Sequence, residues 1–242
     1  MGTCCASRDK SVNHELDLPP PPISGNAYQK FELSLPFACT WIDVFEKRVR
    51  SVEKDGGVTL DDLRNALTTP AWKELKDDDS KICKVLKHPV FETEEGSGII
   101  DVNALLSFAM FHCAGSGTDK ATVFYGIFQD GGVEKQPFIS ANDKDFPDGF
   151  DKHLKLTTLD LISMMIDIEG VEPMDLAEKA EDIEYSFETI REEVFLDTVF
   201  GSNSRLDANV WIPTVAAERI KGWVFDAQMC RCLVFDKTGI EN

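Results

Sequence analysis

A glycine behind the start methionine, followed closely by two adjacent cysteines, opens the chain as MGTCC, and the chemistry those residues offer is acylation. With the methionine removed, the amine of Gly2 is a candidate for myristoylation, and the thiols of Cys4 and Cys5 would then lie where palmitoylation occurs, at the bilayer surface. The usual pattern carries Ser or Thr where this chain has Ala6, and Ser7 comes one place late. One myristoyl chain gives only marginal, reversible binding, so the neighbouring thiols matter, because a second chain turns visiting into residence. Charge sharpens the need: Lys and Arg number 25 against 43 Asp and Glu, and a body at −18 is repelled by an anionic leaflet. Arg8 and Lys10 are too few to compensate. The expectation is attachment to the cytosolic face of a membrane through acyl chains; the plainer reading is a disordered N-terminus with chance cysteines.

Other reactive side chains offer less. The seven cysteines, at 4, 5, 39, 83, 113, 230 and 232, are odd in number and scattered, which fits reduced thiols better than a disulfide framework. Cys230 and Cys232 in MCRCLV lack the paired spacing of structural zinc, and thiols amid Phe, Met and Leu are mostly small core residues. His112 and Cys113 are helix neighbours that point to different faces. His14, His88 and His153 have no partner legible in the sequence. No GxxxxGKS, GxSxG or HExxH pattern occurs. The acidic cluster Asp143, Asp145, Asp148 and Asp151 has the charge to hold a cation, but such runs beside Pro and Gly are usually solvated turns. No catalysis is therefore expected, and the acidic balance argues against a nucleic-acid partner, whose phosphates are bound mainly by Lys and Arg.

The elements that must position these residues are helical. At 43% hydrophobic and 10% aromatic over 242 residues, the chain can bury a sizeable core. No apolar run approaches the roughly 20 residues that span a bilayer, and the start does not read as a signal peptide. Residues 1–35, with HELDLPPPPISGN, read as an acylated anchor and Pro-rich spacer, the alternative being a tail that folds back through Tyr28 and Phe31. From Phe37 onward, apolar residues recur at spacings of three and four. Trp41, Ile42, Phe45 and Val49 share one face, and the same rhythm runs through 61–67, 80–88, 102–113, 119–128, 159–166, 186–200 and 214–225. The fold class is all-α.

Two stretches repeat. KDGGVTLDDLRNAL and EGSGIIDVNALLSFAM each carry a glycine, one residue, a β-branched residue (Val58, Ile100), an oxygen-bearing residue (Thr59, Asp101) and a leucine-led helix. This resembles the second half of an EF-hand calcium loop. There the glycine allows a sharp turn and the β-branched residue pairs in a short strand with the partner loop. The segment FAMFHCAGSGTDKATVFYGIF, read as a helix ending at Gly115 and a Thr118-capped successor, matches how successive hands are joined.

The resemblance implies two lobes of paired EF-hand-like helix-loop-helix units, 36–130 and 131–242, after a disordered N-terminal tail. It implies a first loop from Ser51 to Asp62, with Ser51, Glu53, Asp55, Thr59 and Asp62 and the carbonyl of Gly57 as ligands. Asp62 is shorter than the family's glutamate clamp, so calcium is expected at one weak site at most. The second loop, Thr93 to Ala104, has Thr93, Glu95, Ser97 and Asp101 but no clamp. The third is too long and has Pro137 where glycine is expected. The fourth, Val199 to Val210, has Leu206 in the β-branched place and apolar residues at both terminal ligand places.

In the family, aromatic residues line a hydrophobic cleft that receives a partner helix, which points to Phe108, Phe111, Phe124, Phe128 and Trp211, although such residues are more often core. Acylated members include calcium sensors and ciliary or flagellar membrane proteins. The expected function is thus a membrane-anchored, EF-hand-like adaptor that binds a helical segment of a protein. A calcium sensor using the first loop and an unrelated helical enzyme are the alternatives.

Overall fold

The computed structural model describes residues 16–129, 138–141, 145–170 and 180–238. The protein is mostly helical, with four two-residue strands among the described residues. Gly2, Cys4 and Cys5 lie outside the described residues, as do Asp143 and Pro137 of the third loop.

The first strand-paired unit consists of α2 (Ile42–Arg50), β1 (Gly57–Val58), α3 (Leu60–Ala66), α4 (Lys81–Leu86), β2 (Ile100–Asp101) and α5 (Val102–His112). Ile42, Phe45 and Val49 of α2 are fully buried, as their spacing requires. α3 starts on a reciprocal cap: the Thr59 hydroxyl accepts from Asp62 N, and the Asp62 carboxylate accepts from Thr59 N. Asp101 caps α5 by accepting from Asn103 N and Ala104 N.

The second unit consists of α6 (Gly117–Gln129), β3 (Ile139–Ser140), α7 (Asp145–Lys155), the long helix built from α9 (Ala180–Thr189), a π-helical segment (Ile190–Leu196) and α10 (Asp197–Val199), then β4 (Arg205–Leu206) and α11 (Ala208–Val215). Before α9 comes α8 (Leu159–Glu169), which ends at Gly170 with φ +65°. The start of α6 is capped by Ser116 rather than Thr118. The Ser116 hydroxyl accepts from Asp119 N at 3.1 Å, and the Asp119 carboxylate accepts from Ser116 N at 3.1 Å. A serine two places earlier wins because Asp119 then stands three residues on and completes the ring of hydrogen bonds.

The units share one hydrophobic core. Thr40–Ile42 and Ala114 form a parallel bridge in which Ile42 N donates to the Ala114 carbonyl at 2.8 Å and Ala114 N to that of Thr40 at 3.0 Å. Two 3₁₀ turns, Pro36–Cys39 and Pro70–Lys76, each opened by a proline, add Phe37, Trp72 and Leu75 to the core. Trp72 stacks on Phe45 at 5.4 Å, and its Nε1 donates to the Thr40 hydroxyl at 2.9 Å.

The segment before residue 35 is partly folded. Residues 17–24 form neither helix nor strand and are tied to the body at their start, where Leu18 N donates to the Cys39 carbonyl at 2.8 Å and Ala71 N to the Asp17 carboxylate at 2.7 Å. A helix α1 (Ala27–Leu33) follows, capped reciprocally by Asn26 and Gln29. Phe31 and Leu35 are 1% and 2% exposed, so this stretch belongs to the packed body and the boundary at 35 falls after it. Phe31 on the helix and Leu35 just beyond its end are both buried in the core, which holds this seven-residue helix where its own propensity would not.

The chain continues beyond the second unit into α12 (Glu218–Val224) and α13 (Ala227–Thr238).

Candidate functional site

Both strand pairs join corresponding places of successive loops. Val58 faces Ile100, and Gly57 faces Asp101; Ile139 faces Leu206, and Ser140 faces Arg205. Gly57 is fixed by close approach, since a Cβ there would stand 2.4 Å from Cγ2 of Ile99. The turn before it has Lys54 N donating to the Gly57 carbonyl at 2.9 Å and Gly57 N to that of Lys54 at 3.0 Å. Asp55 and Gly56 between them have φ of +51° and +80°, the signs of a type I′ hairpin turn, for which Asp-Gly is a preferred pair.

This geometry gives each oxygen of the first loop a protein partner or an outward place. The Ser51 hydroxyl donates to the Arg48 carbonyl at 2.7 Å. Glu53 pairs with Arg50 at 3.2 Å. The Gly57 carbonyl takes the Lys54 N–H, and Asp55 is exposed at the turn tip. One oxygen of Asp62 accepts from both the hydroxyl (2.7 Å) and N (3.1 Å) of Thr59, and the other lies 3.8 Å from Lys54 Nζ. The Thr59 hydroxyl and N–H, with a smaller contribution from Lys54, hold the Asp62 carboxyl below its usual range.

In the second loop, the Glu92 carboxylate accepts from Gly96 N at 2.6 Å and Gly98 N at 3.2 Å, and Thr93 and Ser97 face each other at 3.4 Å. Glu95 is exposed and Ala104 is buried. Lys152 of α7 reaches across from the second unit to Asp101 at 2.7 Å. Neither Glu92 nor Lys152 is legible as a site residue in the sequence: Glu92 precedes the loop, and Lys152 is 51 positions away from its partner. In the acidic cluster, Asp148 is exposed and Asp151 pairs with Arg191 of the π segment. Burial raises the Asp151 carboxyl, with Arg191 opposing. In the fourth loop Val199 is buried, Val210 is exposed, and Asp207 caps α11. Among the described residues, no three His, Cys, Asp or Glu side chains gather into a group that could hold a metal ion.

The aromatic residues named from the sequence fall in two clusters. Phe108 packs with Phe37 at 5.3 Å and Phe91 at 5.5 Å in the first unit. Phe124, Phe128 and Trp211 form the other, with Phe124 to Phe128 at 4.8 Å and each of these to Trp211 at 6.0 Å. Phe111 joins it through His153, whose ring lies 4.3 Å from Phe111 and 4.7 Å from Phe124. Phe128 is half-buried and the other four are buried, so the set is a floor under other elements. His153 donates Nε2–H to the Val224 carbonyl at 2.8 Å, and burial lowers its pKa to about 4, so the ring is neutral. His112 is likewise held well below its ordinary value, chiefly by burial. Cys39, Cys83, Cys113 and Cys230 are buried free thiols, and burial pushes Cys230 up to about 11, which makes it a poor nucleophile.

What these features define is a mostly helical body on two strand-paired loop units, with no helix among the described residues long and apolar enough to cross a membrane. Comparison with family models, with curated proteins and with solved structures finds no match to this chain.

Proposed function

We propose that this chain is a membrane-anchored, EF-hand-like protein-binding adaptor whose loops act as struts rather than as ion sensors. The observation that carries this reading is the register: in both units the residues in the eighth place of successive loops face each other, Val58 with Ile100 and Ile139 with Leu206. That is the pairing the family's loops make. Loop carboxylates at Asp62, Asp101 and Asp207 serve as helix caps, which leaves an ion little differential affinity with which to shift a population. Attachment to the cytosolic face of a membrane, ciliary or flagellar membranes included, comes through Gly2, Cys4 and Cys5. The partner is a helical protein segment, neither catalysis nor nucleic acid is involved, and calcium binds weakly at one site at most.

Calcium titration by calorimetry tests the strut reading, with one weak event or none expected. Two or more sites tighter than about 10⁻⁶ M, the sensor range, would favour the calcium-sensor alternative. Cell fractionation tests the anchor: Gly2→Ala is expected to abolish membrane residence, and unchanged association overturns that half of the reading.

A further inference from the structure

The helices after the second unit are held in a way that apolar packing alone does not require. α12 and α13 bury Ile220, Val224, Cys230, Val234 and Phe235, and α13 packs along α9. Trp223 stands edge-on to Phe150 at 6.4 Å and to Phe195 at 6.3 Å, and Phe225 edge-on to Phe124 at 5.7 Å. Residues 218–238 therefore cover part of the aromatic floor formed by α6, α7 and the π segment.

From this lid Arg231 points inward, 3% exposed. Glu32 of α1 meets it fork to fork, Nη1 to Oε1 at 2.5 Å and Nη2 to Oε2 at 3.1 Å. Nη1 also donates to the Thr157 carbonyl at 3.2 Å, and the guanidinium lies 5.0 Å from the ring centre of Tyr28. At the rim, the Gln29 amide donates to Gln228 at 2.7 Å. Tyr28, Gln29 and Glu32 all belong to α1, so the N-terminal and C-terminal helices grip each other through charge and amide groups. A buried ion pair adds little to stability compared with an apolar replacement, but removing one member leaves an uncompensated buried charge, which is strongly unfavourable. If both helices leave, both charges return to water. The half-released states are the disfavoured ones.

We propose that α1 and the α12–α13 pair form a clasp that docks and releases as one unit, and that its release uncovers the aromatic floor for a partner helix that ends as α12 does, with a Trp in its last turn and a Phe just past its end, in the places of Trp223 and Phe225. The clasp stands on the geometry alone, while the helical partner rests on the adaptor reading. α1 follows the segment assigned to the membrane, so the clasp would link that end of the chain to the covered floor.

Amide hydrogen exchange on the full chain tests the clasp. In Glu32→Gln, exchange is expected to rise at least about tenfold in both 27–33 and 218–238, while α2 and α5 keep their protection. The double variant Glu32→Met, Arg231→Met is expected to recover protection in both segments. Release of one segment with the other held, or a double variant as unprotected as the single, overturns the clasp. If Glu32→Gln loses protection throughout, Tyr28→Leu takes its place: a joint rise upholds the clasp, and a rise in one segment or in neither overturns it.

A synthetic peptide of residues 218–238 tests the uncovered floor and is expected to bind Glu32→Gln at least about tenfold more tightly than the unaltered chain. Equal binding to both, or binding to neither, overturns the second half of the proposal. Neither result touches the adaptor reading, which is tested separately by the calcium titration and by fractionation of Gly2→Ala.

Discussion

In the first strand-paired unit the loops are braced from within, by the mutual Lys54–Gly57 hydrogen bonds, the Thr59–Asp62 cap and the Glu92 carboxylate over Gly96 and Gly98. In the second, the strand pair sits beside an aromatic block. Trp211, fully buried, has Phe195 at 5.7 Å, Phe200 at 5.8 Å, and Phe124 and Phe128 at 6.0 Å. A two-residue ladder supplies few hydrogen bonds of its own, so its register has to be set by what flanks it. The same register is held here by polar ring closure in one unit and by apolar packing in the other.

That contrast can be broken most directly at Trp211. Trp211→Ala should destabilise the protein by about 3–5 kcal/mol through the cavity it leaves. A denaturant midpoint that hardly moves would mean that the aromatic block does not carry the second unit.

Next in size is the buried imidazole beside that block. His153 has its pKa lowered by burial to about 4, so the unfolded chain binds more protons than the folded one between about 4 and the ordinary value near 6.5. Its contribution to stability is therefore fully present above about pH 6.5 and is lost as pH falls toward 4, a change of about 3 kcal/mol. His153→Gln keeps a donor for the Val224 carbonyl but does not titrate. The fall in stability between pH 6.5 and 4 should be correspondingly shallower in the variant, and identical pH profiles would remove His153 from the account.

The smallest effect belongs to the first unit. Thr59→Ala removes the hydroxyl of a helix cap and should cost about 1 kcal/mol. Because closure there is shared among several polar contacts, a loss as large as that of Trp211→Ala would erase the distinction between the units.

Much of the helical rhythm was legible because burial imposes a spacing that survives in the residue types, as at Ile42, Phe45 and Val49. The facing positions were legible too: Val58, Ile100 and Leu206 stand at fixed distances from the turns. Less visible was anything built on short pieces or long reach. α1 is seven residues with a polar look, and its partners Gln228 and Arg231 lie 199 positions away from Gln29 and Glu32. The 3₁₀ turns at 36–39 and 70–76 hide because proline reads as a break, although it also pre-sets the first residue of a turn. The five aromatic residues were recognisable by type, but their division between two clusters, and the cover that Phe225 gives to Phe124, depend on contacts that no local spacing reveals. The acylation motif is legible only as a motif, since residues 1–15 lie outside the described structure.

The π-helical segment Ile190–Leu196 has a consequence for the length of the chain itself. A π turn takes more residues per turn than an α turn, as though an extra residue had been inserted into an α-helix that kept its course on both sides. The segment puts Phe195, fully buried, among Phe124, Phe146 and Phe150, and turns Arg191 toward Asp151. Removing the exposed Glu193 would let the helix relax to ordinary α geometry with its two ends still in register. One deletion that would break almost any other helix here is thus absorbed at this place, at the expense of the direction in which Arg191 or Phe195 points.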